Sequence, residues 1–350
     1  MRFGRVPVDQ AAGLISAHTI RGGGITLRKG AVIGADATAR LADEGVREVV
    51  VAAPEPGDVG EDAAAARLAS CLVGANLRVE APFTGRCNLF AAAAGVLRVP
   101  HAAIDAVNAV DEAVTVATLA PFKPVTAGEM VATVKIIPYA VPGAVLARAC
   151  SAAGDGALSV APYRLRRVGV VSTRASGLKE TTIERTLRVL TGRLAPAGAR
   201  IVHEARVPHA EAAVADALAE TIEGAGAEIV VVFGASAIAD RRDVIPRGIE
   251  LAGGRVEHLG MPVDPGNLLL LGARGGVPVI GAPGCARSPK ENGFDWILHR
   301  LLADIAITRA DIVGLGVGGL LMEIVSRPQP RAGGARTEDD VHGMDGGGSD

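Results

Sequence analysis

The segment from Phe233 to Arg300 is the most informative part of this sequence. It contains three loops rich in Gly, Pro, Ser and Asp, each beside a short apolar run: Phe233-Gly-Ala-Ser-Ala-Ile-Ala-Asp-Arg-Arg-Asp243, Gly260-Met-Pro-Val-Asp-Pro-Gly-Asn267 and Gly281-Ala-Pro-Gly-Cys-Ala-Arg-Ser-Pro-Lys-Glu-Asn-Gly293. In an open α/β sheet, loops of this kind present backbone amides and a few charges to an anionic ligand. The segment therefore predicts a binding site for a phosphorylated small molecule.

Apolar strands and amphipathic helices alternate from residue 167 onward. The runs 168–172, 201–207, 228–233, 268–271 and 277–280 predict strands, and helical stripes follow at 183–194, 214–222 and 294–305. Such alternation implies right-handed crossovers and a doubly wound, mostly parallel sheet that binds ligands at the carboxyl ends of its strands. We expect this α/β domain to span residues 165–330.

The first 160 residues lack this rhythm and predict a mixed α+β domain. A glycine-rich hairpin turn at 22–24, a strand at 46–52 and a helix at 61–72 are followed by several short strands between 114 and 141, where recurring prolines exclude a long helix. Residues 331–350 combine Gly, Asp and Glu with almost nothing to bury, which predicts a disordered tail.

Composition limits the partners and the compartment. The net charge of -2 gives no general electrostatic reason to expect nucleic acid. The four cysteines are scattered without a C-x-x-C pair or a Cys/His metal spacing, which favours a reducing compartment. The first residues are too polar for a secretory signal, and no apolar run approaches the roughly 18 residues that a membrane helix needs. We therefore expect a cytoplasmic protein with no nucleic-acid or membrane partner.

The loop after the apolar run 228–233 has two interpretations. Gly234 and Ala235 are small enough to let a ligand approach the backbone, and Ser236 can donate a hydrogen bond. Asp240 and Asp243 suit Mg²⁺, which takes one or two protein carboxylates together with substrate oxygens. In the alternative interpretation, Asp243 merely caps the following helix and the neighbouring arginines are solvated.

The loop after 277–280 also has a functional and a plain interpretation. Pro283 and Gly284 form a turn at a strand end, and Arg287, Ser288 and Lys290 bring donors and positive charge to it. A simple turn with surface basic residues is the alternative. Two such loops at successive strand ends favour anion binding.

The remaining polar residues of these loops give weaker signals. Asp264, between two prolines, lies on a stiff loop that could hold a carboxylate in place or form an Asx turn. His203, His209 and His258 lack metal-ligand spacing and are interpreted as ordinary polar loop residues.

At these residues the chain resembles the molybdopterin-binding domain shared by MoaB/Mog-type proteins, MoeA and gephyrin. In that group one strand ends in Thr-Gly-Gly-x-Ser followed by acidic residues, and a later strand ends in Leu-Pro-Gly-Asn-Pro. The counterparts here are Phe233-Gly-Ala-Ser236 with Asp240 and Asp243, and Ala282-Pro-Gly-Cys285. The resemblance covers residues 1–330, is strongest over 167–330, and is closest to a MoeA-like subgroup often joined to a MobA-like nucleotidyltransferase in proteins that serve molybdenum hydroxylases.

The chain departs from the pattern of the group in two places. Phe-Gly-Ala replaces the Thr-Gly-Gly opening, and the loop Ser172-Thr-Arg-Ala-Ser-Gly-Leu-Lys179 lacks the acidic signature typical of MoeA. This sequence also contains no Gly-rich nucleotide loop of a nucleotidyltransferase; if this protein needs that activity, we expect a separate chain to supply it.

The resemblance implies a role in molybdenum cofactor biosynthesis. It implies binding of molybdopterin, or its adenylylated form, and Mg²⁺-dependent insertion of molybdate with release of AMP. The residues that would hold the ligand are Gly234, Ala235, Ser236, Asp264, Pro283, Gly284, Arg287, Ser288, Ser176 and Lys179. Asp240 and Asp243 would position Mg²⁺, and together with Lys290 they form the catalytic set.

Two rival functions remain open, together with the oligomeric state. The first rival is a non-catalytic molybdopterin carrier that works with a separate MobA-like nucleotidyltransferase or a molybdenum hydroxylase maturation factor. The second is a CinA-like nucleotide pyrophosphatase, since a fold does not settle a function. Domains of this family commonly self-associate, so a homo-oligomer, either a dimer or a trimer, is expected.

Overall fold

Short apolar runs broken by Gly and Pro make this a chain of many short elements. The computed structural model describes residues 1–22, 24–177 and 179–321. Within these ranges the helices are α1 (Ala35–Asp43), α2 (Glu61–Leu72), α3 (His101–Asn108), α4 (Gly143–Ala153), α5 (Glu180–Leu194), α6 (Glu211–Ala219), α7 (Val244–Leu251), α8 (Gly293–Leu302) and α9 (Arg309–Val313).

The strands of the described residues are β1 (Arg2–Pro7), β2 (Ile15–Ser16), β3 (Ile20–Gly22), β4 (Ile25–Leu27), β5 (Glu48–Ala53), β6 (Asp58–Gly60), β7 (Leu77–Val79), β8 (Arg86–Ala91), β9 (Gly95–Arg98), β10 (Val114–Thr118), β11 (Pro124–Val125), β12 (Met130–Ile136), β13 (Ala140–Pro142), β14 (Ser159–Pro162), β15 (Arg167–Arg174), β16 (Arg200–Pro208), β17 (Ile229–Phe233), β18 (Arg255–Leu259), β19 (Leu270–Arg274) and β20 (Val277–Ala282).

The C-terminal half is organised by a six-stranded sheet with the strand order β16-β15-β17-β20-β19-β18. The first four strands are parallel, as the sequence predicts. Strand β19 runs antiparallel to β20, and β18 runs antiparallel to β19. The sheet is therefore mostly parallel, with an antiparallel margin on one side.

Helices cover both faces of this sheet. Along β17 the side chains alternate: Val231 and Phe233 pack into the core that contains residues of α5 and α8, whereas Val230 and Val232 pack against α6 and α7. Because both faces are covered, this central strand is buried at every position. The arrangement is doubly wound and brings the carboxyl ends of β15, β17 and β20 to one edge.

The N-terminal half combines small antiparallel sheets with helices. A four-stranded sheet of order β10-β12-β8-β7 shares its core with α2 and α4, and a further three-stranded sheet has the order β11-β9-β14. The predicted hairpin is found as the antiparallel pair β3–β4, and the predicted helix at 61–72 is α2. The mixed α+β character is thus confirmed, while the division at residue 160 remains a proposal.

Side chains connect the two halves around α8. The Tyr163 hydroxyl lies 2.8 Å from Nδ1 of His299, and the Arg300 guanidinium lies 3.9 Å from the centroid of the Phe122 ring. Burial raises the pKa of Tyr163 to about 12 and lowers the pKa of His299.

The predicted tail at 331–350 lies outside the described residues. Of the helices described, none has the length and apolar character needed to span a membrane.

Candidate functional site

The candidate site lies where β15, β17 and β20 end. Gly234 opens the loop after β17, and a side chain there cannot be accommodated. A Cβ at this position would lie 2.5 Å from the carbonyl oxygen of Ser236 and 2.9 Å from Cδ1 of Ile245. The glycine therefore allows the backbone to turn tightly against its own loop.

Arg287 joins the two predicted loops. Its Nη2 donates to the carbonyl oxygen of Gly234 at 2.8 Å, and its Nη1 donates to Oγ1 of Thr186 at 3.0 Å. The guanidinium also lies 5.3 Å from the centroid of the Phe233 ring. Burial lowers the pKa of Arg287, but arginine stays charged in proteins. Since no ion pair to Arg287 exists among the described residues, its charge is held in place without a carboxylate to neutralise it.

Arg193 holds the backbone of the loop that follows β20, residues 283–292, which is called the second loop of the site below. Its guanidinium donates to the carbonyl oxygens of Ala286 (2.8 Å), Ser288 (2.7 Å) and Lys290 (3.2 Å). It also pairs with Asp295, and both side chains are nearly buried. One buried cation thus organises the stretch that carries Arg287.

A capping box anchors the far end of the same loop. The Asn292 side chain accepts from the Phe294 amide, and Asp295 accepts from the Asn292 amide at 2.9 Å. Together with Arg193, this cap orders the loop before any ligand binds, which lowers the entropic cost of binding.

Arg287 lines a cleft of about 270 Å³ between α5 and this loop. The residues around the cleft are Thr182, Arg185, Thr186, Gly284, Arg287 and Ser288. Thr186 is buried and donates to the carbonyl oxygen of Thr182, so its hydroxyl is fixed where it accepts from Arg287. The Gly284 Cα faces open space. The cleft therefore carries the positive charges of two arginines and is open to a small anion.

A chain of hydrogen bonds lies on the other side of the Gly234 loop. The amide of Ala235 donates to Oγ1 of buried Thr173 at 2.7 Å, and this hydroxyl lies 2.9 Å from Nδ1 of His209. Nε2 of His209 lies 3.1 Å from Oγ of Ser236. The predicted residue Ser236 thus has a partner, His209, that was interpreted as an ordinary loop residue.

Burial of Thr173 favours one tautomer of His209. The threonine hydroxyl already accepts from the Ala235 amide, and a buried hydroxyl proton without an acceptor costs free energy. The proton is therefore best donated to Nδ1, which leaves the histidine proton on Nε2 and directed at Ser236. In this tautomer Oγ of Ser236 accepts from Nε2 and can donate its own proton to another acceptor, and His209 cannot act as the general base for Ser236.

The two predicted metal ligands are engaged within the chain. Asp240 pairs with the Nε of Arg242 at 2.8 Å, and this interaction lowers the pKa of Asp240 to about 2. Asp243 is the N-cap of α7: it accepts from the amide of Val244 at 2.7 Å and from that of Ala239 at 3.3 Å. Asp243 therefore caps α7, as the alternative interpretation expects, whereas Arg242 is paired with Asp240 and Arg241 donates to the Val256 carbonyl oxygen. In the described part of the chain, no group of three or more His, Cys, Asp or Glu side chains could hold a metal ion.

The other predicted residues are divided between this site and its surroundings. Gly284, Arg287 and Ser288 line the cleft, and Gly234 contacts Arg287. The Ala235 amide is used by Thr173, and Pro283 is buried before the turn Gly284–Arg287. Six predicted residues do not line the cleft: Ser176, Lys179, Asp240, Asp243, Asp264 and Lys290.

Four of these outlying residues have defined positions. Ser176 and Lys179 are exposed in the loop between β15 and α5. Asp264 lies between β18 and β19, where its amide donates to the Gly319 carbonyl. Lys290 is exposed, and its carbonyl oxygen accepts from Arg193.

Comparison with known proteins finds similarity only at the level of solved structures. No protein-family model matches the chain, and no curated protein matches it. The chain is similar to the molybdopterin biosynthesis MoeA protein of Pyrococcus horikoshii, with 14% identity and a TM-score of 0.30 over 87% of this chain and 75% of that chain. It is also similar to the molybdopterin biosynthesis enzyme MoaB of Thermus thermophilus, with 16% identity and a TM-score of 0.28 over 40% of this chain and 98% of that chain. Similarity at this level does not define a function.

Proposed function

We propose that this protein binds molybdopterin, or its adenylylated form, in molybdenum cofactor biosynthesis, with the terminal phosphate at the cleft beside Arg287. The observation that carries the proposal is the state of this arginine: it is partly buried, oriented by Thr186 and Gly234, and not neutralised by a carboxylate among the described residues. Two of its five N–H groups are used in these contacts, so three N–H groups remain for further acceptors such as an anion. The resemblance of these loops to the molybdopterin-binding domain is what indicates molybdopterin as the anionic ligand.

The finer proposal is insertion of molybdate with release of AMP. It assigns Asp240 and Asp243 to Mg²⁺, which would supply positive charge to the phosphoanhydride, and Lys290 to the departing phosphate. The present contacts of the two carboxylates do not fit a preformed Mg²⁺ site, because Asp240 is paired with Arg242 and Asp243 accepts hydrogen bonds from the amides of Val244 and Ala239. These contacts favour the second candidate function, a carrier that binds the ligand without turnover.

Binding is tested by anaerobic titration of the protein with molybdopterin. Arg287→Gln is expected to weaken binding about 10- to 100-fold, because a hydrogen bond between charged groups contributes about 1.5–3 kcal/mol. Arg255→Gln is the matched control, since Arg255 is exposed on the edge strand β18. Equal losses for the two variants, with both folded by circular dichroism, would refute the assignment of the phosphate site.

Turnover separates the two candidate functions. The assay supplies adenylylated molybdopterin, molybdate and Mg²⁺ without oxygen and follows AMP release. Release that requires molybdate and Mg²⁺, and that is lost in Asp240→Asn, supports the insertase. Tight binding without release, indifferent to Mg²⁺, supports the carrier.

A further inference from the structure

Two of the four cysteines lie on neighbouring helices of the N-terminal half. Cys71 is in the last turn of α2 and Cys150 is on α4, and both are free, partly exposed thiols. They pack against the same apolar core, which contains Leu68 of α2 and Leu146 of α4. The two positions are far apart in the sequence, so only the fold brings them together.

One contact places the Cys150 sulfur against the end of α2. Its Sγ lies 4.0 Å from the carbonyl oxygen of Arg67. In an α-helix this carbonyl accepts from the amide four residues later, which here is the amide of Cys71. A helical side chain also leans toward the N-terminus of its helix, so the Cys71 side chain lies over the turn that begins at Arg67. The two sulfurs therefore occupy the same small region between the helices.

The chain that leaves α4 fixes the end of α2. The amide of Gly156 donates to the Cys71 carbonyl at 3.0 Å, and the amide of Leu158 donates to the Leu72 carbonyl at 2.9 Å. The last carbonyls of a helix have no partner within the helix, and this segment supplies one for each of these two. The turn that carries Cys71 is therefore held in place beside α4.

The ionisation of Cys150 reflects the same neighbour. Burial and the adjacent Cys71 thiol raise the pKa of Cys150 to about 12, whereas the positive charge of Arg67 acts in the opposite direction. Cys150 therefore stays protonated near neutral pH. Since the thiolate is the reactive form of cysteine, Cys71 is the member of the pair that would attack first.

We propose that Cys71 and Cys150 form a reversible disulfide, joining α2 to α4, when the protein meets hydrogen peroxide. The Cys71 thiolate attacks one peroxide oxygen, the O–O bond breaks, and a sulfenic acid forms while the departing hydroxide takes up a proton to give water. The Cys150 sulfur then attacks the sulfenic sulfur, the S–S bond forms, and the hydroxyl leaves with the Cys150 proton as a second water. Two thiols are oxidised and one peroxide is reduced.

The disulfide would have a measurable effect on stability. It would close a loop of about 80 residues, and closing a long loop restricts the unfolded chain more than the folded one. The oxidised protein is expected to have a Tm at least about 5 °C higher than the reduced protein. The inference is independent of the proposed function, because neither cysteine lines the cleft beside Arg287.

The test is tryptic mapping of the full chain after brief treatment with hydrogen peroxide and alkylation of the remaining thiols. Peptides 68–78 and 149–164 each contain one cysteine and should be found joined, and a dithiol reductant should separate them. Cys71→Ser should abolish both the joined peptides and the rise in Tm. Cys285→Ser is the matched control, because Cys285 is also partly exposed but lies in the C-terminal half, and it should change neither result.

A second variant tests the order of the steps. Cys150→Ser should leave a sulfenic acid on Cys71, which dimedone traps. Trapping on another cysteine instead would refute the assignment of Cys71 as the attacking thiol.

Three results would overturn the inference as a whole. The first is recovery of both peptides alkylated and separate while Cys285 is oxidised. The second is a disulfide that links two chains, seen as a dimer on a non-reducing gel. The third is oxidation of either sulfur to a sulfinic acid without a joined pair. A joined pair without a rise in Tm would refute the stabilising effect of the cross-link.

Discussion

Replacing Arg193 by methionine tests whether one buried cation organises the second loop of the site. The substitution keeps an unbranched apolar side chain but removes every hydrogen bond of the guanidinium. The side chains of Arg193 and Asp295 are only 8% and 12% exposed, so their attraction is weakly screened by solvent. Three backbone carbonyls of the 286–290 stretch also lose their donor.

The size of the effect follows from these contacts. Breaking a buried ion pair by removing one partner costs about 3–5 kcal/mol, because the other charge is left unpaired. Asp295 keeps its hydrogen bond from the Asn292 amide, which places the expectation for Arg193→Met at the lower end, about 3 kcal/mol. Ligand affinity should fall as well, because Arg287 would no longer sit on an ordered loop.

Urea unfolding measures this loss directly. Trp296, the single tryptophan of the chain, lies on α8 next to Asp295 and reports the transition by fluorescence. Arg188→Met is the matched control on the same helix: Arg188 is exposed and makes no ion pair among the described residues, so its loss should stay within about 0.5 kcal/mol. A loss below about 1 kcal/mol for Arg193→Met would refute the organising role.

Three further substitutions test individual contacts. Gly234→Ala should lower molybdopterin affinity at least about tenfold, because its Cβ would lie 2.5 Å from the carbonyl oxygen two residues further on. Gly4→Ala, on β1 and outside the residues that line the cleft, is the control because its Cβ meets open space, and equal affinities of the two variants would contradict the steric argument. Asp243→Ala should lower the free energy of unfolding, measured in urea, by about 1 kcal/mol, because α7 loses its N-cap. Asp243→Asn is the control, since asparagine can also cap a helix. Similar losses in the two variants would show that the charge of Asp243, and not the cap, is responsible. Nitrogen-15 NMR should find the His209 proton on Nε2 and a redistribution between the ring nitrogens in Thr173→Val; a proton on Nδ1 of the unsubstituted protein would overturn the tautomer assignment.

Much of the C-terminal sheet was predictable because its strands are apolar and its helices carry clear stripes. The run 228–233 contains β17, and 61–72 in the N-terminal half is a helix at those same bounds. The antiparallel margin was not predicted. One signal could have found it: the Gly275-Gly276 pair between two apolar runs, whose φ angles of 57° and 84° suit a two-residue hairpin turn.

The site was predictable only as far as its loops are local. Gly284, Arg287 and Ser288 follow one strand and were identified together, because turn chemistry is visible within a few residues. Thr186 and Arg193 were missed, since they contact this loop across 101 and at least 93 positions of the chain. Such contacts arise from the packing of α5 on the sheet, which no local pattern contains.

Phe233 gives a physical reason for one departure from the pattern of the family that the loops resemble. The group has threonine at this strand end, whereas here a buried phenylalanine fills the core and places its ring 5.3 Å from the Arg287 guanidinium. A cation over an aromatic face is stabilised by about 0.5–2 kcal/mol. This interaction therefore helps to stabilise the partly buried Arg287 guanidinium where no carboxylate pairs with it. A carboxylate in that place would compete with a phosphate, so the aromatic ring orients the arginine and leaves its charge available to an anion.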